Sequence, residues 1–310
     1  MMALRAHARG GPEMLVYEEA PVPSPVPGEL IIEVHAAGIT FAEFSWDETW
    51  QRDGRDRTPT VPSHEVSGVV TTVGPGVTRI SVGDDVYGLV PFDRDGAAAE
   101  YVSVPADHVA PKPSSVSHPV AAALPLAALT AWQALHDHAK VQTGERVLVH
   151  GGAGGVGAFA VQLARLAGAA VTATAREKDA ALVKQLGAGH VIAFEKVGFD
   201  ELGLIFDVVI DTVGGSTLDR SFDVLARGGR LVTLQAPPSQ RRADEYGVTA
   251  TFFIVGPDPD ALNSIAHSVD TGEIEVLVAG EYPLADGRKA FESARSPTRA
   301  PGKTVLVVRP

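Results

Sequence analysis

The clearest chemical signal in the chain is the run Val147-Leu148-Val149-His150-Gly151-Gly152-Ala153-Gly154-Gly155-Val156-Gly157. Gly152, Gly154 and Gly157 satisfy a Gly-x-Gly-x-x-Gly spacing, and Ala153, Gly155 and Val156 complete the loop. The first glycine of such a fingerprint permits a tight turn, the second lets backbone approach a pyrophosphate, and the third lets a helix pack on a strand. An apolar run precedes the loop, and Val156, Phe159, Ala160, Leu163 and Ala167 follow at helical spacing. Strand, turn and helix therefore occur in the order that puts unpaired N–H groups of a helix N-terminus against phosphate. The alternative, a tight loop in a glycine-rich chain, lacks that flanking order.

The tip of the next strand decides which dinucleotide is expected. A site that prefers NAD puts an acidic residue about 20 positions after the glycines, to take the ribose hydroxyls, whereas a 2′-phosphate calls for a cation. Here the residues are Ala173-Thr174-Ala175-Arg176-Glu177-Lys178. No acid follows Ala175 directly. Arg176 and Lys178 are the candidates for a 2′-phosphate, which makes NADPH the expected cofactor. The competing reading of Arg176 is a solvated surface arginine. Thr212, Val213 and Gln235 stand at later strand ends, on the edge where doubly wound folds bind cofactors.

These residues need a scaffold. The 310 residues are enough for two domains. Residues 1–118 are rich in glycine, proline and β-branched residues with turn signals such as Pro27-Gly28 and Gly83-Asp84, which predicts a β-rich catalytic domain. Residues 119–271 alternate short apolar strands with alanine- and leucine-rich helices, which predicts a doubly wound parallel sheet. Its six strands are expected at 146–150, 170–175, 190–194, 207–211, 230–234 and 250–255. Residues 272–310 are too short for a further domain and are expected to rejoin the first. The apolar sixth strand, at a sheet edge, predicts a homodimer. Lys and Arg total 26 against 38 Asp and Glu, a net charge of −12, which argues against nucleic acid as a partner. No run reaches the roughly 20 apolar residues a membrane span needs, and residues 1–12 show no targeting pattern, so the expected setting is cytoplasmic. Cysteine is absent, so thiolate ligands and thiol nucleophiles are excluded.

Further segments carry a family likeness: Gly10-Gly11-Pro12-Glu13, Ala36-Ala37-Gly38-Ile39, Ser63-His64-Glu65-Val66-Ser67-Gly68, Val82-Gly83-Asp84-Asp85-Val86-Tyr87-Gly88, Ala123-Leu124-Pro125-Leu126, Thr130-Ala131-Trp132 and Gly302-Lys303-Thr304-Val305-Leu306. With the glycine turn, they make the chain resemble the zinc-free quinone oxidoreductase branch of the medium-chain dehydrogenase/reductase superfamily. The resemblance implies an α/β protein: a GroES-like β-barrel catalytic domain plus a Rossmann domain, with the cleft between them. It also implies cofactor contacts from Thr130, Phe253, Ile254, Val255 and Lys303. Where zinc alcohol dehydrogenases have Cys, His and Cys, the matching positions are Thr40, His64 and Leu126, and one imidazole cannot hold a zinc that expects three protein ligands. No metal is expected. His64 is either a polar group of the cleft or a satisfied histidine supporting the fold, and its isolation favours the second. Thr40, Trp46 and His64 are the candidates at the substrate end, with Phe41 and Trp50 as further aromatic walls. The tryptophans equally fit packed loop anchors. Relatives usually have Asn-Pro-x-Asp where this chain has Thr40-Phe41-Ala42-Glu43.

Without a metal to lower an alcohol pKa of about 15.7, alcohol oxidation is disfavoured. A quinone or an α,β-unsaturated carbonyl delocalises the charge that an arriving hydride brings. The expected function is therefore NADPH-dependent reduction of such an acceptor. The alternatives are an enoyl or ketone reductase of a biosynthetic pathway and a non-catalytic NADPH-binding protein.

Overall fold

The computed structural model describes residues 1–309. They form two compact units, Met1–Leu126 with Pro257–Thr271 and 276–309, and Ala127–Gly256 with Gly272–Glu275.

In the first unit, strands β1 (Met2–Ala6) and β2 (Leu15–Glu19) form an antiparallel hairpin. The main sheet comprises β3 (Glu29–Ile39), β4 (Glu65–Val73), β5 (Asp85–Leu89), β6 (Tyr101–Pro105) and β7 (Val109–Pro111), joined by two strands from the far end of the chain. β3 pairs antiparallel with both β4 and β6 and forms the spine of the sheet. Leu30, Ile32, Val34, Val66, Val70 and Leu306 pack in its core, an apolar interior that a GroES-like barrel requires.

The second unit holds β8 (Arg146–His150), β9 (Ala170–Ala175), β10 (His190–Ala193), β11 (Phe206–Asp211), β12 (Leu225–Thr233) and β13 (Thr249–Phe252). All six are parallel in the order β10-β9-β8-β11-β12-β13, the 3-2-1-4-5-6 order of a Rossmann sheet. Val147–His150 are buried throughout, as expected for a central strand covered on both faces.

The last two strands, β14 (Val278–Pro283) and β15 (Lys303–Val307), return to the first unit, and β15 pairs antiparallel with β3. Two strand boundaries differ from the sequence expectation by more than one residue. β12 begins at Leu225, because a bulge lets Ala226–Gly229 pass between the Phe206–Leu225 and Val208–Arg230 pairs. β13 stops at Phe252, so Phe253–Val255 lie beyond the strand.

The division of the chain also differs. Helix His118–Ala122 groups with the first unit, where Ser67 Oγ and His118 Nδ1 share a hydrogen bond at 2.8 Å. Helix Pro259–Asp270 does so too: Tyr87 donates to the Leu262 carbonyl at 2.6 Å, and Asp270 accepts from the Ser114 and Ser115 backbone at 3.1 and 2.8 Å. Composition does not reveal these cross-ties, which is why the helix was expected in the Rossmann domain. No helix among the described residues is long and apolar enough to cross a membrane.

Candidate active site

The glycine loop runs from the end of β8 into helix Gly155–Leu166. The left-handed turn falls on Gly151 (φ 75°), one residue before the expected Gly152. Gly152 is instead a packing glycine, whose Cβ would stand 2.8 Å from that of Ala173. At Gly157 a Cβ would lie 2.1 Å from the Gly151 carbonyl oxygen, so helix and loop touch through backbone alone. Gly154 caps the helix without any side-chain hydrogen bond. The first-turn amides are thus left for an anion, and the loop fits a dinucleotide pyrophosphate.

Arg176 follows the buried end of β9, and both it and Lys178 are exposed, with no ion pair among the described residues. Glu177, the acid between them, is engaged elsewhere: its carboxylate pairs with Lys196, and its backbone N–H donates to Glu195 at 2.7 Å. Two unengaged cations at this strand tip fit a 2′-phosphate. At the ends of β11 and β12, the Thr212 hydroxyl donates to the His150 carbonyl at 2.7 Å, and Gln235 Nε2 donates to the Thr212 carbonyl at 3.1 Å. Asp211 accepts from the Val213 and Gly214 amides at 3.0 and 2.9 Å, which fixes this rim. Thr130 is buried in helix Pro125–Gln133. The Phe253 ring stacks on His138 at 4.2 Å, Ile254 is exposed and Val255 is half-buried.

In the first unit, Thr40, His64, Glu43, Ser63, Glu65 and Lys303 gather around the start of β4. Lys303 donates to the Ile39 carbonyl at 2.9 Å and to Thr40 Oγ1 at 3.2 Å, and its ammonium pairs with the buried Glu65 carboxylate. Glu65 Oε1 accepts the Leu126 N–H at 3.0 Å. Lys303 is therefore a buried counter-ion whose charge is already matched by Glu65. His64 and Glu43 are both buried, with His64 Nε2 3.7 Å from Glu43 Oε2. Phe92 lies edge-on to both Trp46 and His64, with ring centres 5.2 and 5.3 Å away. Trp50 is a loop anchor, buried and donating from Nε1 to the Phe44 carbonyl at 2.9 Å, so it forms no substrate wall. The Phe41 ring stacks under the Arg299 guanidinium at 4.9 Å.

Glu43 was visible in the sequence only as the last residue of a departing motif, although it is an acid where relatives have one. Glu65 was visible only as part of a marker. Burial lifts the Glu43 carboxyl to about 8, the backbone hydrogen bond from Ser63 and the Lys303 charge opposing it only in part. Burial also pushes His64 down to about 4, helped by the Arg57 charge, and His118 to about 4, helped by His35.

These shifts act oppositely on stability. The two histidines take up protons on unfolding, so their contribution is lost as pH falls from 6.5 toward about 4. Glu43 holds a proton that the unfolded chain releases near 4.5, so its contribution is lost as pH rises from there toward about 8. Glu43→Gln is accordingly expected to gain stability relative to wild type as pH rises through that window. Thermal midpoints at several pH values measure this, and a pH-independent difference would contradict it.

A profile of the alcohol dehydrogenase GroES-like domain matches residues 26–114, and one described as zinc-binding dehydrogenase matches residues 186–306. The human NAD(P)H oxidoreductase RTN4IP1, described as mitochondrial, is 32% identical over 330 residues, covering 91% of this chain and 82% of its own. The solved quinone oxidoreductase of Coxiella burnetii has a TM-score of 0.92 at 29% identity, covering 100% of this chain and 99% of that one. The chain belongs to the medium-chain dehydrogenase/reductase superfamily, and quinone oxidoreductases are among its structural neighbours. As a member of this superfamily it is an NAD(P)H-linked oxidoreductase. A further member of known structure, the mycobacterial protein Rv1454c solved with NADPH, has a TM-score of 0.87 at 33% identity, covering 99% of this chain and all 100% of its own.

One family description implies zinc, and the residues present do not fit it. The positions matching the zinc ligands of other superfamily members are Thr40, whose oxygen already takes the Lys303 ammonium, His64, and the apolar Leu126. Among the described residues no three His, Cys, Asp or Glu side chains converge as a metal site requires.

Proposed function

We propose that this protein is an NADPH-dependent reductase that delivers hydride to a quinone or an α,β-unsaturated carbonyl without a metal. The observation that carries this reading is the strand tip, where Arg176 and Lys178 are exposed and free of ion pairs while the intervening Glu177 is held by Lys196. The solved NADPH complex of the mycobacterial relative supports it.

When bound, NADPH supplies the hydride, and the protein supplies position and polarity. The first-turn amides of helix Gly155–Leu166 hold the pyrophosphate, and Arg176 and Lys178 take the 2′-phosphate. Thr130, Thr212, Val213, Gln235 and Phe253–Val255 line the rest of the cofactor. Thr40, whose oxygen accepts from the Lys303 ammonium, keeps its own O–H free to donate to the acceptor's carbonyl. Trp46 and Phe92 offer an apolar wall.

The test is NADPH oxidation with 1,4-naphthoquinone, an enone, an enoyl thioester and a simple ketone. Turnover of the first two, with the ketone inert, is the expected result. Tight NADPH binding without reduction of any acceptor would sink the reading.

The cofactor preference has its own test. Charge-assisted hydrogen bonds to the 2′-phosphate are each worth about 1.5–3 kcal/mol, so NADPH is expected to bind about 10- to 150-fold more tightly than NADH at low salt. Arg176→Asp removes the cation and adds repulsion, so it weakens NADPH far more than NADH in fluorescence titrations. Equal weakening of both would mean that Arg176 stacks on adenine without reading the phosphate.

A further inference from the structure

Three buried polar atoms in the first unit have no hydrogen-bond partner and lie close together in the fold: Glu43 Oε1, Ser63 Oγ and His64 Nδ1. Buried polar atoms are nearly always paired, so such a cluster calls for a role that the fold alone does not provide. Glu43 Oε2 accepts the Ser63 N–H at 2.8 Å and stands 3.7 Å from His64 Nε2. The far nitrogen of the same ring, Nδ1, is the orphan. Glu43, Nε2 and Nδ1 therefore form a line that ends at a buried ring nitrogen.

The charges around this line leave it neutral. Lys303 on β15 and Glu65 on β4 both face Glu43, with opposite effects, and they are paired with each other. Arg57 and Asp93 face His64, again with opposite signs, and the Pro91 and Val90 carbonyls lie against its ring. Burial then decides both groups, keeping the carboxyl protonated and the imidazole uncharged at neutral pH.

We infer that Glu43 is the proton reservoir of the reduction and passes its proton through His64 to the reduced acceptor, an inference that rests on the reading of the site as a quinone or enone reductase. The acceptor first gains a hydride, and with it two electrons, from the reduced nicotinamide, and becomes an enolate or a hydroquinone anion. Its oxygen or α-carbon then takes the proton of His64 Nδ1–H. As that N–H bond breaks, Nε2 takes the proton of the Glu43 carboxyl, so the imidazole stays neutral throughout. Glu43 is left as a carboxylate with the imidazole proton now on Nε2, and the relay resets in reverse: Nδ1 takes a proton from water as Nε2 returns its own to the buried Glu43. Nδ1 is closed off at rest, and Phe92, partly exposed and edge-on to the ring, is the neighbour that gives way to the acceptor. In this scheme His64 touches the substrate, and Glu43 acts through it.

The test compares wild type, Glu43→Gln and Glu43→Asp in steady-state reduction of an enone by NADPH across pH 6–10. Gln matches the shape of the carboxyl and keeps an acceptor for the Ser63 N–H, but it has no proton to give. A general acid contributes about 10²–10⁴-fold, so Glu43→Gln is expected to lose about 100-fold or more in kcat while KM and NADPH affinity stay within about twofold. Wild type should lose activity on the alkaline side as Glu43 ionises. That limb should vanish in the Gln variant and persist in Glu43→Asp, which a purely structural role would not produce. Infrared spectra of the cofactor-free protein at pH 7 give an independent readout: a protonated-carboxyl C=O band in wild type that is missing from Glu43→Gln. An alkaline limb unchanged in Glu43→Gln, or no such band in wild type, overturns the proton-reservoir role alone. A wild-type chain that reduces no acceptor overturns the functional reading, and this inference with it.

Discussion

Lys303→Ala is expected to destabilise the first unit by about 3–5 kcal/mol, the cost of leaving one partner of a buried ion pair without the other. Its ammonium is the counter-charge of Glu65, a residue with no exposed surface, and it also satisfies the Ile39 carbonyl and Thr40 Oγ1. Removing the side chain strands a carboxylate on β4 beside Gly38, where a Cβ would already come within 2.8 Å of Glu65 Oε2. Little room remains for the site to relax. Replacing both partners, as Lys303→Met with Glu65→Gln, removes the unpaired charge and should recover most of the loss. Urea denaturation of the two variants and wild type measures this. A Lys303→Ala variant that keeps wild-type stability but binds NADPH poorly would instead favour the cofactor-contact role that the family resemblance implies.

The second large effect is at Gly157. The nearest atoms to a Cβ there are backbone, the Gly151 oxygen at 2.1 Å and its carbonyl carbon at 2.7 Å, and no flexible side chain can yield. Gly157→Ala must push the helix off the loop, so the first-turn amides and the loop amides no longer converge on one pyrophosphate. Losing two charge-assisted bonds at about 1.5–3 kcal/mol each weakens NADPH by about 100-fold or more. Gly154→Ala is the informative comparison, because its Cβ has only the Gly151 oxygen near it, at 3.1 Å. That variant should keep its thermal midpoint while still obstructing the approach of the phosphates. Isothermal titration and melting curves of both variants separate the effects, and wild-type NADPH affinity in Gly157→Ala would contradict the assignment of this loop.

The two ends of the site differed in how far the sequence revealed them. The glycine loop and the Arg176 tip were legible because strand, turn, helix and strand tip follow one another within about thirty residues, and their chemistry is mostly backbone. The position of the left-handed turn was missed by one residue, since Gly151 and Gly152 are adjacent and composition cannot say which adopts positive φ. The substrate end was legible only in outline. Lys303 lies 263 positions from Thr40, and nothing local announces that its charge is spent on Glu65. Glu43 and His64 are 21 positions apart, and their meeting depends on how the Phe41–Trp50 loop folds back on the residues preceding β4. The domain limits at 118 and 271 differ for the same reason: Glu65–Leu126 and Tyr87–Leu262 are long-range contacts between residues whose types are unremarkable.

Central to the account is reduction with NADPH by a protein whose donor set cannot hold zinc. The direct measurement is NADPH oxidation with 1,4-naphthoquinone and an enone, before and after exhaustive chelation, on samples whose zinc content is determined by elemental analysis. The account predicts unchanged turnover with zinc far below one atom per chain, because Thr40, His64 and Leu126 supply a single imidazole where three ligands are needed. Stoichiometric zinc, with activity lost on its removal and regained on its return, would contradict it.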